Sequence, residues 1–124
     1  MDVTPLIPGG RQVIESYGRR GFHVSGVAWT GSILVFPDST LEWSAGSFVD
    51  LSEEAFRPIV EKGGIEILLL GCGARMQLVP SALRQALRAS GIVMDPMDTG
   101  AACRTYNVLL SEDRRVAAAL LPAI

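Results

Sequence analysis

Short runs of β-branched and aromatic residues, separated by turn residues, dominate the chain up to about Ser47. Apolar and polar positions alternate within several of these runs, as is typical of half-buried strands. Gly, Pro, Asp and Ser at the boundaries favour tight turns. The pattern predicts a hairpin between Ile33–Phe36 and Leu41–Trp43, and five strands in all: Gln12–Tyr17, Phe22–Val24, Val27–Trp29, Ser32–Phe36 and Thr40–Ser44.

From Asp50 onward the hydrophobic period lengthens, which indicates helices alternating with strands. A helix is expected over about Ser52–Lys62, stopped by Gly63-Gly64, and Pro58 marks either a kink or the start of a shorter helix. The near-continuous apolar run of residues 65–70 is typical of a strand buried on both faces. The remaining predicted elements are a helix over Pro80–Ser90, a strand over Ile92–Asp95, a helix from Asp98 or Thr99 to about Leu110, and a strand over Arg115–Leu121.

Strands that alternate with helices lie side by side in a sheet, with the helices covering a face. The second half of the chain therefore predicts such a sheet, and the first half an added antiparallel β layer. We expect a single α/β domain over residues 1–124, with an N-terminal β meander.

Composition narrows the function classes. Of 124 residues, 48% are hydrophobic and 19% charged, with 13 acids against 11 bases and a net charge of -2. These values exclude a disordered chain, and the lack of a basic stripe argues against nucleic-acid binding. The longest apolar run, Ile65–Ala74, is broken by Glu66 and two glycines, so direct membrane insertion is not expected. Two isolated cysteines and no signal peptide in Met1–Pro5 favour a cytoplasmic location.

The segment Gly71-Cys72-Gly73 directly follows the predicted buried strand, where ligand clefts form in open α/β sheets. Met76 stands where a dinucleotide fingerprint requires its third glycine, so that motif is absent. Two interpretations stay open: a tight turn that lets the chain leave the sheet, and a cleft whose backbone N–H groups take a small anion.

The segment from Asp98 to Asn107 carries the richest chemistry. On a helix, Thr99, Cys103 and Asn107 share one face at a spacing of four residues and point toward the glycine loop. A helix N-terminus lowers a thiol pKa, which would favour a thiolate at Cys103, whereas a small buried Cys packing a helix on a sheet is the structural alternative. Asn107 and Thr105 have their own alternative, the satisfaction of backbone groups. We assign a candidate pocket here and no catalytic residue.

Metal and interface candidates are fewer. His23 is the only histidine, and no spacing motif joins it to the cysteines, so neither a metal nor a cofactor is expected. Trp29 and Trp43 lie in the β meander. Each either fills the core or, if exposed, anchors a partner protein.

Several segments together resemble the Mth-type (DUF498-like) family of small domains. They are Ile65–Gly73, Pro80–Ile92, Met97–Thr99, Ala102–Asn107 and Ala117–Pro122. Eukaryotic members of that family include a mitochondrial assembly factor for respiratory complex I. The resemblance implies a three-layer β/β/α domain with a central mixed sheet, an added β layer and helices on the other side. It also implies a pocket whose residues are Gly71, Gly73, Thr99, Cys103, Thr105 and Asn107.

Two functions follow as expectations. The first is a non-enzymatic module that binds a protein partner, similar to the assembly factor of that family. The alternative is a small-molecule binder or enzyme that uses a pocket between the Gly71–Gly73 loop and the Thr99–Asn107 helix.

Overall fold

A computed structural model describes residues 10–123 as eight strands and three α-helices. Residues 1–9 and 124 of the predicted single domain lie outside the described residues. The strands are β1 (Ile14–Tyr17), β2 (Gly21–Val24), β3 (Val27–Thr30), β4 (Ile33–Phe36), β5 (Ser39–Glu42), β6 (Ile67–Gly71), β7 (Val93–Met97) and β8 (Val116–Leu120). The helices are α1 (Arg57–Lys62), α2 (Ser81–Ala89) and α3 (Thr99–Ser111), and 3₁₀ turns span Phe48–Asp50 and Glu53–Phe56.

The central sheet has the order β5-β4-β8-β6-β7 and is mixed. Strand β6 pairs in parallel with both β7 and β8, while β4 is antiparallel to β8 and to β5. Strand β8 is apolar and fully buried along its length, as expected for a strand with a layer on each side. The remaining strands form a separate antiparallel sheet of order β1-β2-β3, here called the small sheet.

Successive residues of β6 supply two different cores, because side chains alternate across a strand. Leu68 and Leu70 face α1 and α2 in one cluster, together with Ile59 and Leu83. Leu69 faces the opposite way, into a cluster made by α3 and the small sheet. Thus α1 and α2 cover one face of the central sheet, and α3 and the small sheet cover the other.

The structure confirms the α/β class, the mixed central sheet, the added β layer and the alternation of helices and strands after Asp50. It differs in the first half, because β4 and β5 join the central sheet and only β1–β3 form the added layer. All four residues of β4 are apolar and buried, which requires a layer on both faces. Pro58 lies in the first turn of α1, so the shorter of the two helices expected there is the one observed.

Trp43 belongs to the core and offers no exposed anchor, which corrects its assignment as an interface residue. Its side chain is 6% exposed, its ring lies 5.5 Å from that of Phe56, and its indole N–H donates to the Ala55 carbonyl at 2.7 Å. The indole N–H therefore has its hydrogen-bond partner inside the protein, and the ring packs in the core next to the end of β5.

Strand β7 is an edge of the central sheet and carries Pro96. Val93 donates to Glu66 and Met97 accepts from Cys72, so by alternation the backbone of Met94 and Pro96 points away from β6. Because proline has no N–H, Pro96 removes a donor from the free side of the sheet.

Candidate functional site

Thr99 fastens the start of α3 to the glycine loop and to the end of β8. It follows Asp98, whose carboxylate caps the helix by accepting from Ala101 N–H at 2.9 Å. The Thr99 hydroxyl donates to the Leu121 carbonyl at 2.7 Å and accepts from the Gly73 N–H at 2.9 Å. Its own N–H donates to the Gly73 carbonyl at 2.8 Å. The side chain is fully buried, so its hydrogen-bonding capacity is used within the protein.

Gly71 and Gly73 are glycines for two different reasons. A Cβ on Gly71 would lie 2.9 Å from Leu120 Cδ2 and 3.0 Å from Thr99 Oγ1, so only a hydrogen fits there. Gly73 has φ +98°, a conformation that other residues adopt only with strain. The Cys72 N–H donates to the Met97 carbonyl. Since the amides of Cys72 and Gly73 both have partners, the tight turn is the correct interpretation, and they do not form an anion cradle.

A cleft of about 480 Å³ opens beside the glycine loop, but α3 does not line it. Its walls are the loop that follows β6, the segment before the first 3₁₀ turn, and the residues after β8. The lining residues are Gly46, Ser47, Phe48, Cys72, Gly73, Ala74, Arg75, Met76, Gln77, Leu121 and Pro122. Of the candidate pocket residues, only Gly73 contributes to it; Thr99 is hydrogen-bonded to Gly73 but does not line the cleft.

Large apolar side chains project into solvent next to this cleft. Val49 is 88% exposed, Leu78 83% and Met76 52%. Phe48 lines this cleft and also a second one, of about 240 Å³, which is lined by Val49, Leu51, Val79, Pro80 and Leu83 as well. We call Phe48, Val49, Met76 and Leu78 the apolar rim. The rim was not predicted; the available signal was three apolar residues, Met76, Leu78 and Val79, interrupted only by Gln77, in a segment with no predicted strand or helix.

Cys103 is buried in the core between α3 and the central sheet and does not face the cleft. Burial raises the pKa of its thiol from 9.0 to about 12, against a smaller lowering by Arg104. The proposed thiolate at Cys103 is therefore wrong, because desolvation outweighs any favourable effect of the helix N-terminus. Burial also raises the pKa of the Cys72 thiol. Both thiols are protonated at neutral pH.

Asn107 holds the small sheet against α3. Its amide oxygen accepts from Ile14 N–H at 3.0 Å, and its amide nitrogen donates to the Ile14 carbonyl at 2.8 Å. This pair of bonds satisfies backbone groups, as one of the two interpretations of Asn107 proposed. Thr105 is half-buried on the same helix. Tyr106 is fully buried, and its hydroxyl has no hydrogen-bond partner within residues 10–123.

Trp29 is half-buried and lines an open groove of about 530 Å³ at the small sheet. The groove also contains Tyr17, Arg19, Arg20 and His23, and the His23 ring lies 3.1 Å from the Ser16 hydroxyl, measured from Nδ1. Within residues 10–123, no group of three or more His, Cys, Asp or Glu side chains is arranged to hold a metal ion. No helix in that range has the length and hydrophobicity needed to cross a membrane.

Known proteins resemble this chain along most of its length. A family profile described as "Protein of unknown function (DUF498/DUF598)" matches residues 14–121. An uncharacterized protein of Rhodobacter capsulatus is 39% identical over 97% of this chain and 94% of its own length. The NADH dehydrogenase [ubiquinone] 1 alpha subcomplex assembly factor 3 of Danio rerio is 40% identical over 89% of this chain.

This chain spans 64% of the length of the Danio rerio protein. Among solved structures, that of a Mth938-like domain protein from Bordetella pertussis superposes with a TM-score of 0.81 at 26% identity. The superposition covers 98% of this chain and 92% of the other. The expected resemblance to the Mth-type family is confirmed at the level of both sequence and fold.

Proposed function

This chain belongs to the DUF498/DUF598 family, and we propose that it acts as an assembly-factor-like protein that binds a partner protein through the apolar rim. Its relatives include a protein named as an assembly factor for NADH dehydrogenase. We propose a subunit of such a complex as the partner. The activity needs no cofactor and no turnover, and the expected cytoplasmic location stays a prediction.

The observation that carries this proposal is the exposure of the apolar rim. Val49 and Leu78 are each more than four-fifths exposed, Met76 and Phe48 line the first cleft, and Phe48 and Val49 line the second. Contiguous apolar patches of this kind mark interaction sites, because burying them against a partner removes apolar surface from water. The two clefts beside the rim supply depressions into which a partner's side chains fit.

Affinity capture with a matched pair of variants tests the proposal. The variant Met76→Ser/Leu78→Ser removes two side chains of the apolar rim, and the control Val27→Ser/Val93→Ser removes two other apolar side chains that are each about half exposed. Tagged proteins are expressed in cells that contain a respiratory NADH dehydrogenase, and captured subunits are quantified by mass spectrometry. We expect wild type and the control to retain NADH dehydrogenase subunits. The rim variant is expected to capture at least about ten-fold less of them, which corresponds to a change of ~1.4 kcal/mol in binding free energy. Equal retention by both variants, or recovery of general chaperones alone, contradicts the proposal.

The cleft supports a second candidate function, the binding of a small molecule. Its volume of about 480 Å³ lies within the usual range of ligand pockets, and Arg75 and Gln77 supply polar groups among the apolar ones. A thermal-shift screen of metabolites tests this function on wild type and on Arg75→Ala and Gln77→Ala. A metabolite that stabilises wild type and neither variant supports it. Stabilisation that is equal in all three proteins, or absent, contradicts it.

A further inference from the structure

Three arginines at one end of the central sheet have no carboxylate partner among the described residues. This is the end where β6 and β8 finish, at Gly71 and Leu120, and we call it the cleft end. Arg19 and Arg20 lie in the exposed turn between β1 and β2, and Arg104 lies in the first half of α3. None of these three arginines forms an ion pair within residues 10–123. We call them the arginine surface.

Hydrogen bonds join the arginine surface to the site described above. The Arg104 guanidinium donates to the Tyr17 hydroxyl at 2.8 Å, which links α3 to the strand that leads into the turn. The Ala123 N–H donates to the Gly18 carbonyl at 3.0 Å, and the preceding residue, Pro122, lines the cleft. The turn that carries Arg19 and Arg20 therefore adjoins the segment after β8 that lines the cleft. Arg75, which also has no ion pair in the described part of the chain, lies on the cleft wall.

The opposite end of the sheet, where β6 and β8 begin, is arranged differently, and we call it the ion-pair end. Each of the long-range ion pairs found among the described residues lies there: Arg11–Asp113, Lys62–Asp38 and Arg115–Glu66. The chain as a whole carries a net charge of -2, so carboxylates are not scarce. Arg19, Arg20 and Arg104 at the cleft end have no such partner among residues 10–123.

We propose that the arginine surface binds an acidic segment of the partner protein, whose neighbouring apolar residues contact the apolar rim. This inference rests on the proposed function and names the chemistry of the partner. Guanidinium groups pair with carboxylates through two parallel hydrogen bonds. These bonds fix the orientation of the contact and add to the attraction between the charges. Exposed, unpaired arginines also raise the association rate with an acidic partner.

The placement of the arginines on two different elements favours a chain of carboxylates over one compact anion. Arg19 and Arg20 project from a turn and Arg104 from a helix, and all three are exposed. A phosphate site requires donors that converge on a single point, often with backbone N–H groups. Here the amides of Cys72 and Gly73 already have partners. Carboxylates placed along a peptide meet arginines of different elements one at a time, and in this proposal the same peptide continues onto the apolar rim.

Selection from a display library of random peptides on the wild-type protein provides a defined probe. We expect selected peptides to be enriched in Asp and Glu next to Leu or Phe. Their affinities are then measured for Arg19→Gln/Arg20→Gln/Arg104→Gln and for Arg84→Gln/Arg88→Gln/Arg114→Gln. The control removes the same charge from three other exposed arginines that have no ion pair within residues 10–123. Circular dichroism and thermal melts show whether both variants keep the fold.

The expected result is a loss of affinity of about ten-fold or more in the first variant and of less than about two-fold in the control, with binding that weakens as salt rises. Equal losses in both variants indicate general charge attraction and overturn the inference. So does a library that yields no acidic peptides, or no binders at all. Binding to phosphatidylglycerol vesicles is a further outcome. If the protein binds such vesicles in a manner that depends on Arg19, and no acidic peptides are selected, the inference is overturned in favour of a lipid surface.

A last comparison separates this inference from the proposed function. Peptides that lose affinity in Met76→Ser/Leu78→Ser but bind the arginine variant like wild type leave the proposed function standing and overturn the inference. Peptides that depend on the arginines but bind the rim variant like wild type overturn the continuity of the two surfaces, and with it the inference as stated. Dependence on both surfaces supports it.

Discussion

The two ends of the central sheet stabilise the fold by different means. At the ion-pair end, charged side chains meet one another in solvent, as in the 2.9 Å contact between Lys62 and Asp38. At the cleft end, the buried contacts are hydrogen bonds between neutral groups, centred on the Thr99 hydroxyl, while Arg19, Arg20 and Arg104 at the surface form no ion pair with the described residues. A surface that combines arginines without ion pairs among residues 10–123 with exposed apolar side chains is suited to binding. Exposed ion pairs contribute little to stability, so the two ends differ in what their charges are available to do.

Replacing Thr99 is the strongest way to break this contrast. Thr99→Val keeps the shape but removes the partner of the Gly73 N–H and the Leu121 carbonyl, both buried. We expect the free energy of unfolding, measured by urea denaturation, to fall by about 3 kcal/mol, because each orphaned backbone group costs roughly 1–3 kcal/mol. Thr99→Ser keeps the hydroxyl and is expected to cost only about 1 kcal/mol for the lost methyl group. Similar losses in the two variants would refute the role of the hydroxyl.

Asn107 offers the next largest effect, because it holds the small sheet through two neutral hydrogen bonds to Ile14. Asn107→Ala is expected to lower the free energy of unfolding by about 2 kcal/mol and to speed amide exchange in β1. Thr105→Ala, on the same helix, serves as the matched control and is expected to change stability by less than about 0.5 kcal/mol. Unchanged exchange in β1 in the Asn107 variant would contradict this assignment.

Alkaline pH is expected to lower the free energy of unfolding, because buried thiols resist ionisation in the folded protein. Burial raises the pKa of Cys103 from 9.0 to about 12, so above pH 9 the unfolded chain has lost a proton that the folded protein keeps. Stability from this group is therefore complete below pH 9 and is lost as pH rises toward 12. The slope approaches about 1.4 kcal/mol per pH unit. Urea denaturation across this range should show a smaller slope for Cys103→Ala, and an identical slope would contradict the burial of that thiol.

Changes at the ion-pair end are expected to have the smallest effects on stability. Its pH dependence lies in the acid range. A hydrogen bond from Lys62 holds the pKa of Asp38 below its ordinary value of 3.8. The stability that this carboxylate contributes is present above pH 3.8 and is lost as pH falls through its folded pKa. Asp38→Asn and Glu66→Gln are each expected to cost no more than about 0.5 kcal/mol at neutral pH, because both groups are solvent-exposed. A loss as large as that of Thr99→Val would abolish the contrast between the two ends.

The strands and helices with strong hydrophobic periodicity could be predicted from the sequence. The cleft could not, because it is formed by segments that are far apart in the chain. The apolar run that forms β6 and the Asp98 cap of α3 are local signals, and both are found where expected. The cleft could not be predicted, because one wall is formed by residues 46–48, which carry no regular pattern. The face containing Thr99 and Cys103 is expected to point toward the glycine loop; Thr99 does reach Gly73, but its hydroxyl is used in internal hydrogen bonds and Cys103 is buried in the core.

Pro96 has a consequence for behaviour at high concentration. A sheet with a free edge invites another chain to extend it, and repeated extension leads to fibrils. On β7 the free side lacks a donor at Pro96, so continuous cross-strand ladders cannot form there. The molecule can thus display apolar side chains at one end without polymerising along this flank, which would keep a binding surface accessible in a crowded cell.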